Sequence, residues 1–205
     1  MTPRPLVLAS TSKYRGELLG RLGVPFEQAK PDFDERAHDE RWGSMPAADF
    51  ALALAEGKAR SLAAAHPGSL ILAADQIAVL PDEGRVGVML TKPGTQARAV
   101  EHLMRLAGRT HLLITGVVLY DAGRDEQSAV VDEQRMTMRA FGREEAEAYV
   151  REYKPVDCAG SYRIEDAGIA LFERVEGLDY TGIIGLPLMA TGRLLRAEGL
   201  LPADV

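Results

Sequence analysis

The sequence predicts an α/β fold built on a mixed sheet. Strand-like and helix-like stretches alternate early in the chain, and residues 110–121 and 128–140 form a long strand pair joined by "AGRDEQ". The 205-residue length fits one domain, 1–205, with two lobes. A central active-site cleft between the lobes is expected.

The elements follow in order. Residues 4–9 read as a short buried strand. Residues 12–22 read as a helix with Leu18, Leu19 and Leu22 on one face, ended by Gly23 and Pro25. The polar, acidic stretch 31–46, "PDFDERAHDERWGSMP", reads as a loop. Residues 47–65 carry a strong helical pattern, stopped by "HPG". The apolar run "SLILAADQIAVL" (69–80) is interrupted by Asp75 and followed by the turn "PDEGR". After "TKPG", residues 95–107 read as a helix, and the strand pair comes next. Residues 143–153 form a charged helix, and 158–185 mixes short strands and turns. Residues 187–198 close the chain as a helix, with Pro187 at a starting position that helices tolerate.

Composition narrows the function. The chain is 46% apolar and 26% charged, ordinary for a globular protein. Its net charge of −6 argues against a nucleic-acid binder; if the substrate is a polyanion, a few local cations must meet it, with a metal ion expected beside them. No run approaches the ~18 apolar residues of a membrane span, and "MTPRPLVLAS" is too short an apolar stretch for a signal peptide. The single cysteine, Cys158, allows no internal disulfide and suggests a reducing compartment. A cytoplasmic protein with no nucleic-acid or membrane partner is expected.

Five places stand out for chemistry. In "PLVLASTSKYRGELL" (5–19) a strand runs into a helix N-terminus through Ser10, Thr11 and Ser12. Free amides, the positive end of the helix dipole and the hydroxyls make an anion site, and Arg15 lies on the inward stripe with Leu18, Leu19 and Leu22. Simple capping accounts for Ser12 equally well. In the helix 47–65, Phe50, Leu54, Lys58 and Leu62 share one face, so Lys58 either snorkels or points into a cleft. Glu56 lies off that stripe and reads as solvated. Asp75 follows an apolar run; a buried carboxylate is paired, bound to metal or bonded to backbone, and strand ends are where α/β sheets bind ligands. Gln76 beside it can donate and accept, as reading a base edge requires. Lys92, in "LTKPG", reads as a solvated loop lysine or a point charge for phosphate. In "DCAGSYRIEDAG" (157–168) small residues suit close backbone approach, Glu165 is the notable carboxylate, and Cys158 reads as a small buried hydrophobe. Histidines 38, 66, 102 and 111 are scattered and form no metal signature.

Together these segments resemble the Maf family of nucleoside triphosphate pyrophosphatases. The resemblance runs through "LASTSKYRGELL", "FDE" at 33–35, "LALAEGKA", "AADQIAVL", "TKP", "TGV" at 115–117, "DCAGSYRIEDAGIALFERVEG" and "GLPL", in family order. It implies a strongly twisted mixed sheet flanked by helices and hydrolysis of the α–β phosphate bond to monophosphate and pyrophosphate. It implies a divalent metal, Mg or Mn, with Glu35 on the metal side, and a homodimer. It places the catalytic proton acceptor on Asp75 and the phosphate-binding groups on Ser10, Arg15, Lys58 and Lys92; Ser12, from the junction itself, is expected to join them.

Within the family, Gln76 and Glu165 resemble the branch acting on 7-methyl-GTP; the dTTP/UTP branch usually has Thr and Gln there. Tyr14 stands where that first branch tends to have an aromatic Trp, and an aromatic ring suits stacking on a cationic methylated base. The specificity set is therefore Tyr14, Gln76 and Glu165. Lys13 stands where Pro is usual, and Thr91 where Gly is usual. Two alternatives remain open at this point: a dTTP/UTP pyrophosphatase of the same family, and a non-catalytic nucleotide-binding regulator of cell division.

Overall fold

The computed structural model describes residues 4–82 and 85–201. Its strands are β1 (Leu6–Ala9), β2 (Glu27–Ala29), β3 (Leu70–Asp82), β4 (Arg85–Leu90), β5 (Thr110–Asp121), β6 (Glu126–Met138) and β7 (Phe172–Glu176). The α-helices are α1 (Lys13–Gly20), α2 (Ala47–Arg60), α3 (Gln96–Leu106), α4 (Arg143–Tyr153), α5 (Thr181–Ile184) and α6 (Leu188–Ala197). The strands bond in the order β2-β1-β3-β5-β6-β7, with β4 pairing with β3. β1 runs parallel to β2 and β3, whereas β3–β4 and β6–β7 are antiparallel. The mixed sheet read from the sequence is thus present.

The chain divides into two compact units. The first takes the chain up to Asp75, Thr115–Asp132 and the chain from Asp179; the second takes Gln76–Ile114 and Glu133–Leu178.

In the first unit, β1 and β3 are apolar on both faces because both faces are covered. Leu6, Leu8, Leu70, Leu72 and Ala74 pack with Leu18 and Leu19 of α1 and Leu195 of α6. The intervening Val7, Ala9, Ile71 and Ala73 pack with Ala55 and Ala59 of α2 and with Leu62. This two-residue alternation decides which helix meets each strand residue. In the second unit, α3 buries Ala99, Val100, His102, Leu103 and Leu106, and α4 buries Ala146, Tyr149 and Val150.

Several boundaries differ from expectation. The stretch read as a loop over 31–46 contains a 3-10 turn, Glu35–Arg41, capped by Asp34 Oδ1 accepting from the Arg36 amide at 3.0 Å. Its residues are all polar or small, so no apolar periodicity betrays it. The helix expected over 47–65 ends at Arg60 and continues only as turns. Pro187 occupies the N-cap of α6, not its first turn. The "PDEGR" segment has its outer residues in β3 and β4, and residues 83–84 lie outside the described residues.

Candidate active site

Asp75 extends the odd-numbered face of β3, the face that Ile71 and Ala73 turn to α2. Along α2 and the turn that follows it, the stripe predicted from four-residue spacing is buried throughout: Phe50, Leu54, Lys58 and Leu62 are 1%, 5%, 4% and 7% exposed. Strand alternation and helix periodicity therefore aim Asp75 and Lys58 at each other. The Lys58 ammonium donates to Asp75 Oδ1 as a buried ion pair.

A second carboxylate reaches the same ammonium. Lys58 Nζ lies 2.8 Å from Glu35 Oε1. Glu35 is brought there by Phe33, whose ring packs on α2 at Gly57; a Cβ on Gly57 would overlap that ring. The Phe33 ring also stacks on His38 at 4.8 Å, which steadies the 3-10 turn. The "FDE" segment thus seats its Phe beside Lys58 and delivers its Glu to the ammonium.

The β1–α1 junction supplies the rest of the first unit's predicted residues. Ser10, buried, accepts from the Ser12 amide at 3.1 Å. Ser12 caps α1 by accepting from the Arg15 amide at 3.4 Å. Both readings of Ser12 survive, since a capping hydroxyl still stands at a helix N-terminus. Arg15 is half-buried, and its Nε donates to the Gly185 carbonyl at 2.9 Å. Tyr14 projects an exposed ring. Lys13, which stands in place of the usual Pro, pairs with Glu17 at 3.4 Å on the helix surface.

Burial is the largest influence on the Asp75 carboxyl and raises its pKa above the ordinary carboxylate range. Lys58 and Arg15 pull it down, while Glu35 pushes it up. Burial lowers the pKa of Arg15, against the pull of Asp75 and Glu35; an arginine in such a place remains charged. The arrangement can hold polyanionic phosphate with cations and can take up a proton on Asp75. Among the described residues, no group of three or more His, Cys, Asp or Glu side chains converges as a metal cage. Glu35 and Asp75 do converge on one cation, the Lys58 ammonium, and two carboxylates completed by phosphate oxygens suit Mg²⁺.

The remaining predicted residues belong to the second unit. Gln76 is half-buried in β3, Lys92 is exposed after β4, and Glu165 is exposed in the Gly-rich segment. Partial burial raises the Glu165 pKa. Cys158, expected to be buried, is half-buried, and its thiol donates to Asp157 Oδ1 at 3.5 Å. Burial and the Asp157 charge push that thiol up to about 11, so it is no nucleophile at neutral pH. Glu56, read as solvated, accepts from Arg60 Nε at 2.7 Å, one turn along α2.

Sequence reasoning missed Phe33 as the seat of Glu35 and the Gly185 carbonyl as the partner of Arg15. The Phe–Gly contact joins residues far apart in sequence, and a carbonyl leaves no trace in residue type. The single available signal was the glycine in "IIGLPL", which has φ +111.

The Maf family model, described as Maf-like protein, matches residues 5–198. The chain is 39% identical over 197 residues to the 7-methyl-GTP pyrophosphatase of Pseudomonas putida, covering 96% of this chain and 98% of the relative. It is 42% identical over 200 residues to the 7-methyl-GTP pyrophosphatase of Bdellovibrio bacteriovorus, covering 98% and 100%. It is 43% identical over 195 residues to the 7-methyl-GTP pyrophosphatase of Cupriavidus metallidurans, covering 95% and 93%. Among solved structures, the Staphylococcus aureus Ham1 protein is similar at a TM-score of 0.43 and 14% identity, covering 80% of this chain and 90% of that one.

Proposed function

The chain belongs to the Maf family, and from that premise we propose that it is a nucleoside triphosphate pyrophosphatase acting on 7-methyl-GTP. The observation that carries the reading is the buried Lys58 ammonium held between the carboxylates of Asp75 and Glu35. The names of the full-length relatives support the choice of nucleotide.

In this reading, water attacks phosphorus and the bridging P–O bond between the α- and β-phosphates breaks. Nucleoside monophosphate and pyrophosphate leave. Asp75 orients the water and accepts its proton; a carboxyl with a raised pKa is the better base. Ser10, Ser12 and the α1 amides meet phosphate oxygens, and Arg15, Lys58 and Lys92 offset the charge of the triphosphate. Lys58 also holds Asp75 in place. Glu35 suits a divalent cation, Mg²⁺ or Mn²⁺, which would neutralise phosphate charge and acidify a bound water. Tyr14 stacks on the methylated base, and Gln76 and Glu165 accept from the guanine edge. The two units are read as lobes of one domain, acting as a homodimer in the cytoplasm, where Cys158 stays reduced.

The test is pyrophosphate release with Mg²⁺ from 7-methyl-GTP, GTP, UTP, dTTP and CTP. Preference for 7-methyl-GTP is expected. Preference for UTP or dTTP would keep the catalytic assignment and overturn the base-reading set. Binding without release from any of them would favour a regulator. Tyr14→Ala is expected to lower the preference for 7-methyl-GTP over GTP by roughly 3- to 30-fold, the range of a cation–π contact.

A further inference from the structure

Helix α6 starts without a local cap. Pro187 stands at its N-cap position and makes no side-chain capping bond. The amides of its first turn are met from upstream. Asp179, 7% exposed, accepts from the Met189 amide at 2.7 Å through Oδ2. Its Oδ1 accepts from the Thr181 amide at 3.0 Å and the Thr181 hydroxyl at 2.5 Å. That hydroxyl in turn accepts from the Leu188 amide at 2.8 Å. One carboxylate therefore ties both ends of the segment 179–189, and it sits at the positive end of a helix.

Between those ties the backbone is closed on itself. The Gly185 amide donates to the Gly182 carbonyl at 3.1 Å, and the Leu186 amide to the Thr181 carbonyl at 3.3 Å. Gly185, at φ +111, takes a conformation that other residues adopt only with strain. Its carbonyl accepts from Arg15 Nε at 2.9 Å. A Cβ at Gly185 would lie 3.4 Å from Arg15 Nε and 3.5 Å from Nη2. The guanidinium is planar, so a bond at Nε sets the plane in which both terminal nitrogens lie.

We propose that Asp179 is a positioning residue for Arg15. Acting through Thr181 and Gly185, it holds the guanidinium so that the terminal nitrogens meet the triphosphate in one orientation. The kinetic consequence rests on the pyrophosphatase reading; the link from Asp179 to Arg15 does not.

Asp179→Asn and the milder Thr181→Val are each made in the native chain and in Arg15→Met, using the nucleotide the native chain hydrolyses best. In the native chain Asp179→Asn is expected to lower kcat/KM by about tenfold or more, mainly through KM, because a small misplacement of a binding group is costly. Thr181→Val follows in the same direction. In the Arg15→Met background each change is expected to cost less than about twofold, since the group it positions is gone. Equal fold-losses in both backgrounds would mean that Asp179 merely stabilises α6, and would overturn the proposal. The Nε–H resonance of Arg15, assigned by its loss in Arg15→Met, gives a readout that needs no turnover. Slow solvent exchange is expected in the native chain, and faster exchange in both variants. Unchanged exchange overturns the link. A native chain that releases no pyrophosphate while its resonance responds as expected defeats the function and leaves the link standing. Should Asp179→Asn fail to fold, Thr181→Val carries both readouts.

Discussion

The two units bury polar groups in opposite ways. The first buries charge: the side chains of Lys58 and Asp75 are each 6% exposed and paired with one another. The second buries neutral pairs. His102 Nδ1 lies 3.0 Å from Ser161 Oγ, and His111 Nε2 lies 2.8 Å from the Tyr162 hydroxyl. Burial lowers the pKa of both histidines, with Arg98 and Arg105 adding to the effect at His102, so both rings are neutral at pH 7. Neutral hydrogen bonds are enough to hold a fold together. A buried ion pair is weak evidence for stability, because desolvation offsets most of the Coulomb attraction. The Lys58–Asp75 pair is therefore better explained by the chemistry assigned to it than by architecture.

Asp75→Asn tests that contrast most sharply. The amide keeps the shape and loses the proton acceptor, so kcat should fall by roughly 10²- to 10⁴-fold, the usual reach of a general base. Nucleotide binding, measured by calorimetry, should persist. Turnover within about threefold of native would return Asp75 to a structural role and erase the difference between the units.

Lys58→Met comes next in size. Removing one partner strands Asp75 in a buried site, a loss of about 3 kcal/mol in urea unfolding at pH 7. The pH dependence has a definite sign. Lys58 pulls the Asp75 pKa down, so its removal raises that pKa further above the unfolded value of about 3.9. The folded state then binds its proton at higher pH than the unfolded state does. As pH falls through the folded pKa, the stranded carboxylate is neutralised and the stability deficit shrinks. The acid limb of kcat/KM in any residual activity should move upward in the same variant. A deficit that does not change with pH would place the loss in packing, not in charge.

What could be read from the sequence divides along physical lines. Asp75 stood out because an apolar run with one carboxylate admits few explanations, and Lys58 because four-residue spacing set it on an apolar stripe. Both signals come from local periodicity, and both residues are buried where that periodicity puts them. The 3-10 turn Glu35–Arg41 was hidden because it carries charge without an apolar stripe. The cap of α6 was hidden because capping is normally sought beside the helix, whereas Asp179 lies ten positions before Met189. Pro187, with no Ser, Thr, Asp or Asn next to it, was the clue that a cap had to come from elsewhere. The base-reading roles proposed for Gln76 and Glu165 rest on family resemblance and, for Gln76, on an amide that can both donate and accept, since periodicity says nothing about which base a side chain meets.

His111 tests the neutral side of the contrast, with the smallest effect. The ring is fully buried, and its Nδ1 has no hydrogen-bond partner among the described residues. A second proton would have no acceptor, and burial lowers the pKa to about 4. The unfolded chain titrates near 6.5, so it binds the proton first as pH falls. Stability is therefore complete above about pH 6.5 and is lost as pH drops toward about 4, up to about 3 kcal/mol in all. His111→Phe keeps a ring against Tyr162 and Phe172, whose centroids lie 5.5 and 6.0 Å away, and removes the titration. At pH 7 the variant should lose about 1 kcal/mol with the Tyr162 hydrogen bond. At pH 4.5 the order should reverse, with the variant more stable than the native chain, because only the native ring must then be kept from its proton. Urea midpoints at both pH values check the crossing, while the acid limb of the pH–rate profile, which the proposed mechanism assigns to Asp75, should stay in place. Parallel stability curves for the two proteins would mean that His111 does not titrate on unfolding, and a shifted rate profile would mean that the second unit's buried histidine is coupled to the chemistry after all.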